Sequence, residues 1–211
     1  MSLSRFGLVA GVLAAVVVGI YAAPLVYPLR LLTVLLHEGG HALVTVLTGG
    51  SVLEIAVNAE ESGHTLSSGG VHFLILHGGY LGSLLFGLAL TAAPGASRGL
   101  CVALGALAFF ALGYIPLLSF GALYTALVGA GLVALGVKTS HGTCRFVLRA
   151  VGLFVVADAV RDILSDLGRG DAALLADKTG LPAALWSGLW LVAALGVLVW
   201  AVRRAGPSGA R

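Results

Sequence analysis

The chain has 211 residues, of which 59% are hydrophobic and only 10% charged, with a formal net charge of +3. Soluble domains carry roughly 25% charged residues, so this surface holds too little charge to face water, and its solvent over most of its area is lipid; the mean hydropathy of +1.05 agrees. No basic stripe with interleaved aromatics occurs, which excludes a nucleic-acid partner, and Cys101 and Cys144 lack the spacing of a thiolate metal site or a disulfide framework.

In chain order, Arg5 precedes an apolar run over residues 6–23. It is long for a signal-peptide core and no small-residue cleavage site follows, so it reads as a retained first span. Pro24 and Pro28 punctuate the turn into a second span, 29–47, which ends at Gly49-Gly50. Residues 51–70 are polar; 52–57 are β-like and 58–63 turn-like, which fits a short hairpin or a loop at the membrane edge. Further spans follow at 71–92, at 99–114, from the Pro116 turn to 137, at 146–164 and at 183–202. The fourth and fifth could merge into one broken pair. A polar stretch rich in Asp and Gly separates the last two spans.

The expected fold is therefore an all-α polytopic membrane protein of six to seven transmembrane helices, with a hairpin or loop after the second. Residues 1–205 form one domain and 206–211 a disordered tail. Arg30, Arg98, the group Lys138, Arg145 and Arg149, and the terminal arginines fall in alternate loops. The positive-inside rule then places the N-terminus outside and the C-terminus in the cytosol of a bacterial plasma membrane.

The chemistry concentrates in His37-Glu38-Gly39-Gly40-His41. On a helix the two histidines lie one turn apart on one face, so both imidazoles reach one metal ion, and Glu38 lies beside them to take a proton from water. A charge at the centre of a membrane helix costs ~3 kcal/mol on insertion scales, so ionisable groups here require a reason. A catalytic zinc takes three protein ligands and an open position. The span at 146–164 offers Asp158 and, one turn on, Asp162. His37 lies about 10 Å beyond Arg30 and Asp158 about 13 Å beyond Arg149 along their helices, so parallel helices bring them to similar depth. Asp158 is the expected third ligand, with Asp162 the runner-up. His72 and His77 read as partly solvated interface groups, His64 and His141 carry no assignment, and Trp186, Trp190 and Trp200 suit interfacial or packing roles.

These residues resemble the site-2 protease family of intramembrane zinc metalloproteases, in its compact branch without a PDZ domain. Its HExGH motif is met by His37, Glu38, Gly40 and His41; a second motif stands as Gly79-Tyr80-Leu81-Gly82-Ser83; a third as Asp158, Asp162, Asp171-Ala172, Thr179-Gly180, Trp186 and Trp190. The matches run in order over about residues 30–200. Asp158 departs from the pattern in lacking the Pro and Gly that flank the family's ligand Asp. The resemblance implies zinc held by two His and one Asp, and a β-like element at 51–70 that holds an unwound substrate in extended form. Gly79, Tyr80 and Gly82 are candidate substrate-binding residues; the glycines also suit close helix packing.

The function expected is a zinc metalloendopeptidase that cleaves transmembrane segments of membrane proteins. Zinc activates water, Glu38 is the general base, and the site lies toward the cytosolic side. The alternative is a non-catalytic zinc-binding scaffold or transporter subunit. The expected partners are the lipid bilayer and a transmembrane protein substrate; oligomeric state stays open, because glycine-rich faces serve packing within and between chains alike.

Overall fold

The computed structural model describes residues 23–92 and 97–205. The expected span at 6–23, save its last residue, and the tail at 206–211 lie outside them. Helix α1, Ala23–Leu47, covers the expected second span, 29–47, and carries Pro28 inside it. The Pro28 carbonyl accepts from the Tyr124 hydroxyl at 2.6 Å.

The stretch after α1 is a hairpin. Strand β1, Ser51–Val57, pairs antiparallel with β2, Gly63–Ser68, with an irregularity between Val52 and Glu54. The hairpin folds back along α1, so that the Tyr27 hydroxyl donates to the Ala59 carbonyl at 2.7 Å and Arg30 pairs with Glu61 at 3.5 Å. Its inner side is apolar: Ile55 packs with Ile115 and Ala122 in one core cluster. Arg30 is therefore an ion-paired group within the fold rather than an isolated flanking charge.

The rest is helical: α2, His72–Thr91; α3, Ser97–Ala111, extended by a 3-10 turn at Leu112–Tyr114; α4, Phe120–Lys138; α5, His141–Ser165; α6, Gly170–Thr179; and α7, Ala183–Ala205. Ser119 and Ser140 cap α4 and α5 by accepting from the backbone N–H three residues on. The fourth and fifth expected spans are thus separate helices. Among the described residues four helices are long and apolar enough to cross a membrane, His72–Thr91, Ser97–Tyr114, Phe120–Lys138 and Ala183–Ala201. This is fewer than the six to seven expected. Helices α1 and α5, each of 25 residues, are long enough, but ionisable side chains interrupt their apolar runs.

The polar stretch before α7 is not a loop throughout. Gly168 and Gly170, both at positive φ, turn the chain, and α6 follows until Gly180, in the left-handed conformation, ends it. Ala172 and Leu175 of α6 pack with Tyr80, Val156, Ile163 and Trp190 in the main core. A second cluster joins Leu90, Cys101, Cys144 and Leu148; both cysteines are free and buried, as packing groups.

Helices α1 and α2 meet backbone to backbone. A Cβ placed on Gly40 would lie 2.1 Å from the Gly78 carbonyl oxygen, and one on Gly82 would lie 2.7 Å from the Gly40 Cα. Gly39, next in sequence, has nothing within 4 Å of such a Cβ. In lipid, where helices associate by close packing rather than by apolar burial, this contact sets the spacing of the two helices. Gly40→Ala is expected to destabilise the protein by ~1–3 kcal/mol through overpacking, while Gly39→Ala leaves it unchanged or gains up to ~1 kcal/mol of helix propensity. Thermal unfolding of both variants in the same detergent checks the contrast.

Candidate metal centre

His37 and His41 share one face of α1, as their spacing requires. Their rings stand edge to face with centroids 4.8 Å apart, and their Nε2 atoms are 3.1 Å apart. The nearness of α2 fixes the tautomer of one ring. His41 Nδ1–H donates to the Ile75 carbonyl at 2.6 Å, which leaves Nε2 with its lone pair directed away from that bond. Gly79 faces both imidazoles: a Cβ there would lie 2.3 Å from His37 Nε2 and 2.6 Å from His41 Nε2. Any side chain at 79 would fill the space in front of the two nitrogens.

The third member of the group is Asp171, in the first turn of α6. Its Oδ2 lies 3.2 Å from His37 Nε2 and 3.1 Å from His41 Nε2. Burial works to raise the Asp171 carboxyl, but His37 and His41, when protonated, outweigh it by hydrogen bonding and charge and hold the group below the ordinary carboxylate range. The three atoms form a nearly equilateral triangle. Tetrahedral zinc with ligand bonds near 2.0–2.1 Å places its ligand atoms roughly 3.3 Å apart, so the triangle has the dimensions of one face of such a site. Among the described residues, His37, His41 and Asp171 form the group that could hold a metal ion.

Asp158, the expected third ligand, is elsewhere. Its Oδ1 accepts from Arg161 Nε at 2.6 Å and its side chain is only 5% exposed. The carboxylate beside the histidines comes not from α5 but from α6, which the chain enters after the turn at Gly168 and Gly170. Asp162, the runner-up, lines the cavity beside the site but is not a member of the triangle. Asp171 stands in the sequence as half of an Asp-Ala pair in the middle of the polar stretch between the last two spans. Its signal was an acid in the first turn of a helix that follows a glycine turn.

Glu38 lies beside the triangle and outside it, 5% exposed. The Thr65 hydroxyl, on β2, is 2.9 Å from Glu38 Oε2 and 3.0 Å from the Glu38 carbonyl, and donates there. Both Glu38 and the triangle open onto a cavity of about 590 Å³, also lined by Thr65, His72 and Tyr80. Thr65 carried no signal in the sequence, because the register that brings it to Glu38 is set by long-range pairing.

The Gly-Tyr-Leu-Gly-Ser motif divides by role. Gly79 clears the nitrogens and Gly82 packs on Gly40. Tyr80 sets its ring edge-on to His37 with centroids 4.6 Å apart, stacks at a tilt on Trp190, and donates its hydroxyl to Asp166 Oδ2 at 3.3 Å. It ties the α5–α6 corner to α2. His77 accepts on Nδ1 from the Trp190 indole N–H at 3.0 Å and stands edge-on to Phe73 and Trp186, away from the triangle. His72 lines the cavity, and His64 pairs with Glu54 at 3.7 Å.

Neither the curated proteins nor the solved structures give a match to this chain. A family model described as Peptidase M50B-like does match, over residues 8–201. The match takes in the histidine pair, the hairpin and Asp171 alike, and the chain belongs to the Peptidase M50B-like family, a site-2 protease family of membrane metallopeptidases.

Proposed function

We propose that the chain is an intramembrane zinc endopeptidase that cuts transmembrane segments of membrane proteins, with His37, His41 and Asp171 as the metal ligands and Glu38 as the general base. The observation that carries this reading is the position of Glu38. It is a buried acidic residue that lines the same cavity as the three ligand residues and takes no part in their triangle.

Bound at the three residues, zinc would supply Lewis acidity, which sharpens the acidity of water and polarises a carbonyl. The protein's own groups do the rest. Glu38, whose carboxylate Thr65 holds through Oε2, takes a proton from the attacking water and returns it to the leaving amine. His41 keeps its Nδ1 proton on the Ile75 carbonyl throughout. Strand β2 borders the cavity through Gly63, Thr65 and Ser67, which supports docking of an unwound substrate segment beside the strand by backbone pairing. Helical peptide bonds are inaccessible to attack, so unwinding must precede cleavage. A scaffold or transporter subunit that only binds zinc has no need of a carboxylate placed beside the ligand set.

The ligand set and the base are separable by experiment. Asp171→Asn should lose the zinc that purified wild type holds, as should His37→Ala, whereas Asp158→Asn should keep it; elemental analysis of the three variants decides the third ligand. Zinc lost from the Asp158 variant and kept in the Asp171 variant would restore the ligand expected from the sequence. Glu38→Gln should retain zinc and lose cleavage by at least ~100-fold, the scale of general acid–base catalysis; full cleavage by that variant in liposomes would sink the mechanism.

A further inference from the structure

The Glu38 carboxylate is fixed from the hairpin rather than from its own helix. Thr65 reaches it from β2, at 2.9 Å from Oε2. Two residues away on the same face of the strand, Gly63 closes the other side: a Cβ there would lie 2.8 Å from Glu38 Cγ and 2.9 Å from Oε1. Alternation along β2 gives Gly63, Thr65 and Ser67 as its half-buried face. The register of the strand is set from behind. Thr65 pairs opposite Ile55, and Gly63 opposite Val57. Ile55 and Val57 are 4% and 2% exposed, and Gly121 of α4 leaves no room for a Cβ against the Val57 backbone.

A chain of contacts thus runs from α4 through β1 and β2 to the oxygen of the base. On the cavity side the same strand offers Gly63, His64, Thr65 and Ser67. The segment best placed to hold a substrate is also the segment that orients Glu38. Resting on the peptidase reading above, we infer that Thr65 is the positioning residue of Glu38, and that the register of the hairpin sets how well the base is aimed. Thr65 keeps its proton and touches no reacting atom. Its hydroxyl, at Oε2, fixes the orientation of the carboxylate of a residue that lines the cavity.

The shape of the side chain and its hydroxyl separate cleanly. Thr65→Val keeps the β-branched form and removes the donor; Thr65→Ser keeps the donor. With a quenched-fluorescence single-span transmembrane peptide in phosphatidylglycerol-containing liposomes, Thr65→Val should lower kcat roughly 10- to 100-fold, the loss expected for one hydrogen bond to a charged group. KM should stay within about twofold and Thr65→Ser should recover kcat to within about threefold, because the lost interaction acts on the base and not on substrate binding. Zinc content should be unchanged in both. Should Thr65→Val fail to hold zinc, Thr65→Ala takes its place with the same expectations. An independent readout is the isotope-edited infrared band of the Glu38 carboxylate, identified by its loss in Glu38→Gln. It should move in Thr65→Val and return in Thr65→Ser. Full kcat in Thr65→Val, an equal loss in Thr65→Ser, or an infrared band that does not move overturns the inference. Wild type that cleaves nothing, while the band still moves in Thr65→Val, overturns the peptidase reading instead and leaves the contact between Thr65 and Glu38 supported.

Discussion

The approach of α1 to α2 at Gly40 and Gly78 is the contact on which the site depends. Because the two backbones touch there, the Ile75 carbonyl reaches His41 Nδ1, Gly79 comes to face both imidazoles, and the Tyr80 ring meets His37. Each of these is a consequence of helix spacing, and each fails if the helices part by the width of a methyl group. Soluble proteins obtain such rigidity from apolar burial against water. In lipid that drive is absent, and small residues that allow backbone contact stand in for it. The same device recurs at Gly87 and Gly152, where α2 meets α5: a Cβ on Gly152 would lie 2.6 Å from the Gly87 carbonyl oxygen.

Once the helices are close, the ionisable groups need partners, because an unpaired charge in this environment is costly. The fold answers with pairs. Asp158 takes Arg161, Arg30 takes Glu61, Asp171 takes the two histidines, and Glu38 takes the Thr65 hydroxyl. Two of these pairs use residues of the hairpin, which explains why a β element belongs in an otherwise helical fold. A helix in that place would consume its own backbone groups and present only side chains. A hairpin keeps one strand edge in reserve.

Much of the fold could be read from the sequence, and the reasons for the failures are local. The histidine pair was legible because its chemistry lies within five residues of one helix. The hairpin was legible from β-like residues ahead of a turn. What the sequence could not reveal was where the hairpin goes, since Glu61 meets Arg30 across 31 positions and Thr65 meets Glu38 across 27. The expectation of Asp158, with Asp162 as runner-up, missed the grouping of Asp171 with the two histidines for a related reason. Depth along a helix is computable from residue count, but a reversal at Gly168 and Gly170 returns the chain to a depth already passed. Asp158 looked like a ligand because it is a carboxylate in an apolar run; its partner, Arg161, was three residues away on the same helix.

The hairpin and the cavity also require one another. Irregular or open-edged backbone at membrane depth is tolerated only where it is buried in protein or lines a water-filled space. Strand β1 meets the first condition through Ile55 and Val57, which lie in the core against α4 and the 3-10 turn. Strand β2 meets the second, since its residues line the cavity that Glu38 and the metal triangle also face. One polar-lined cavity therefore serves both the open edge of the hairpin and the groups of the candidate site.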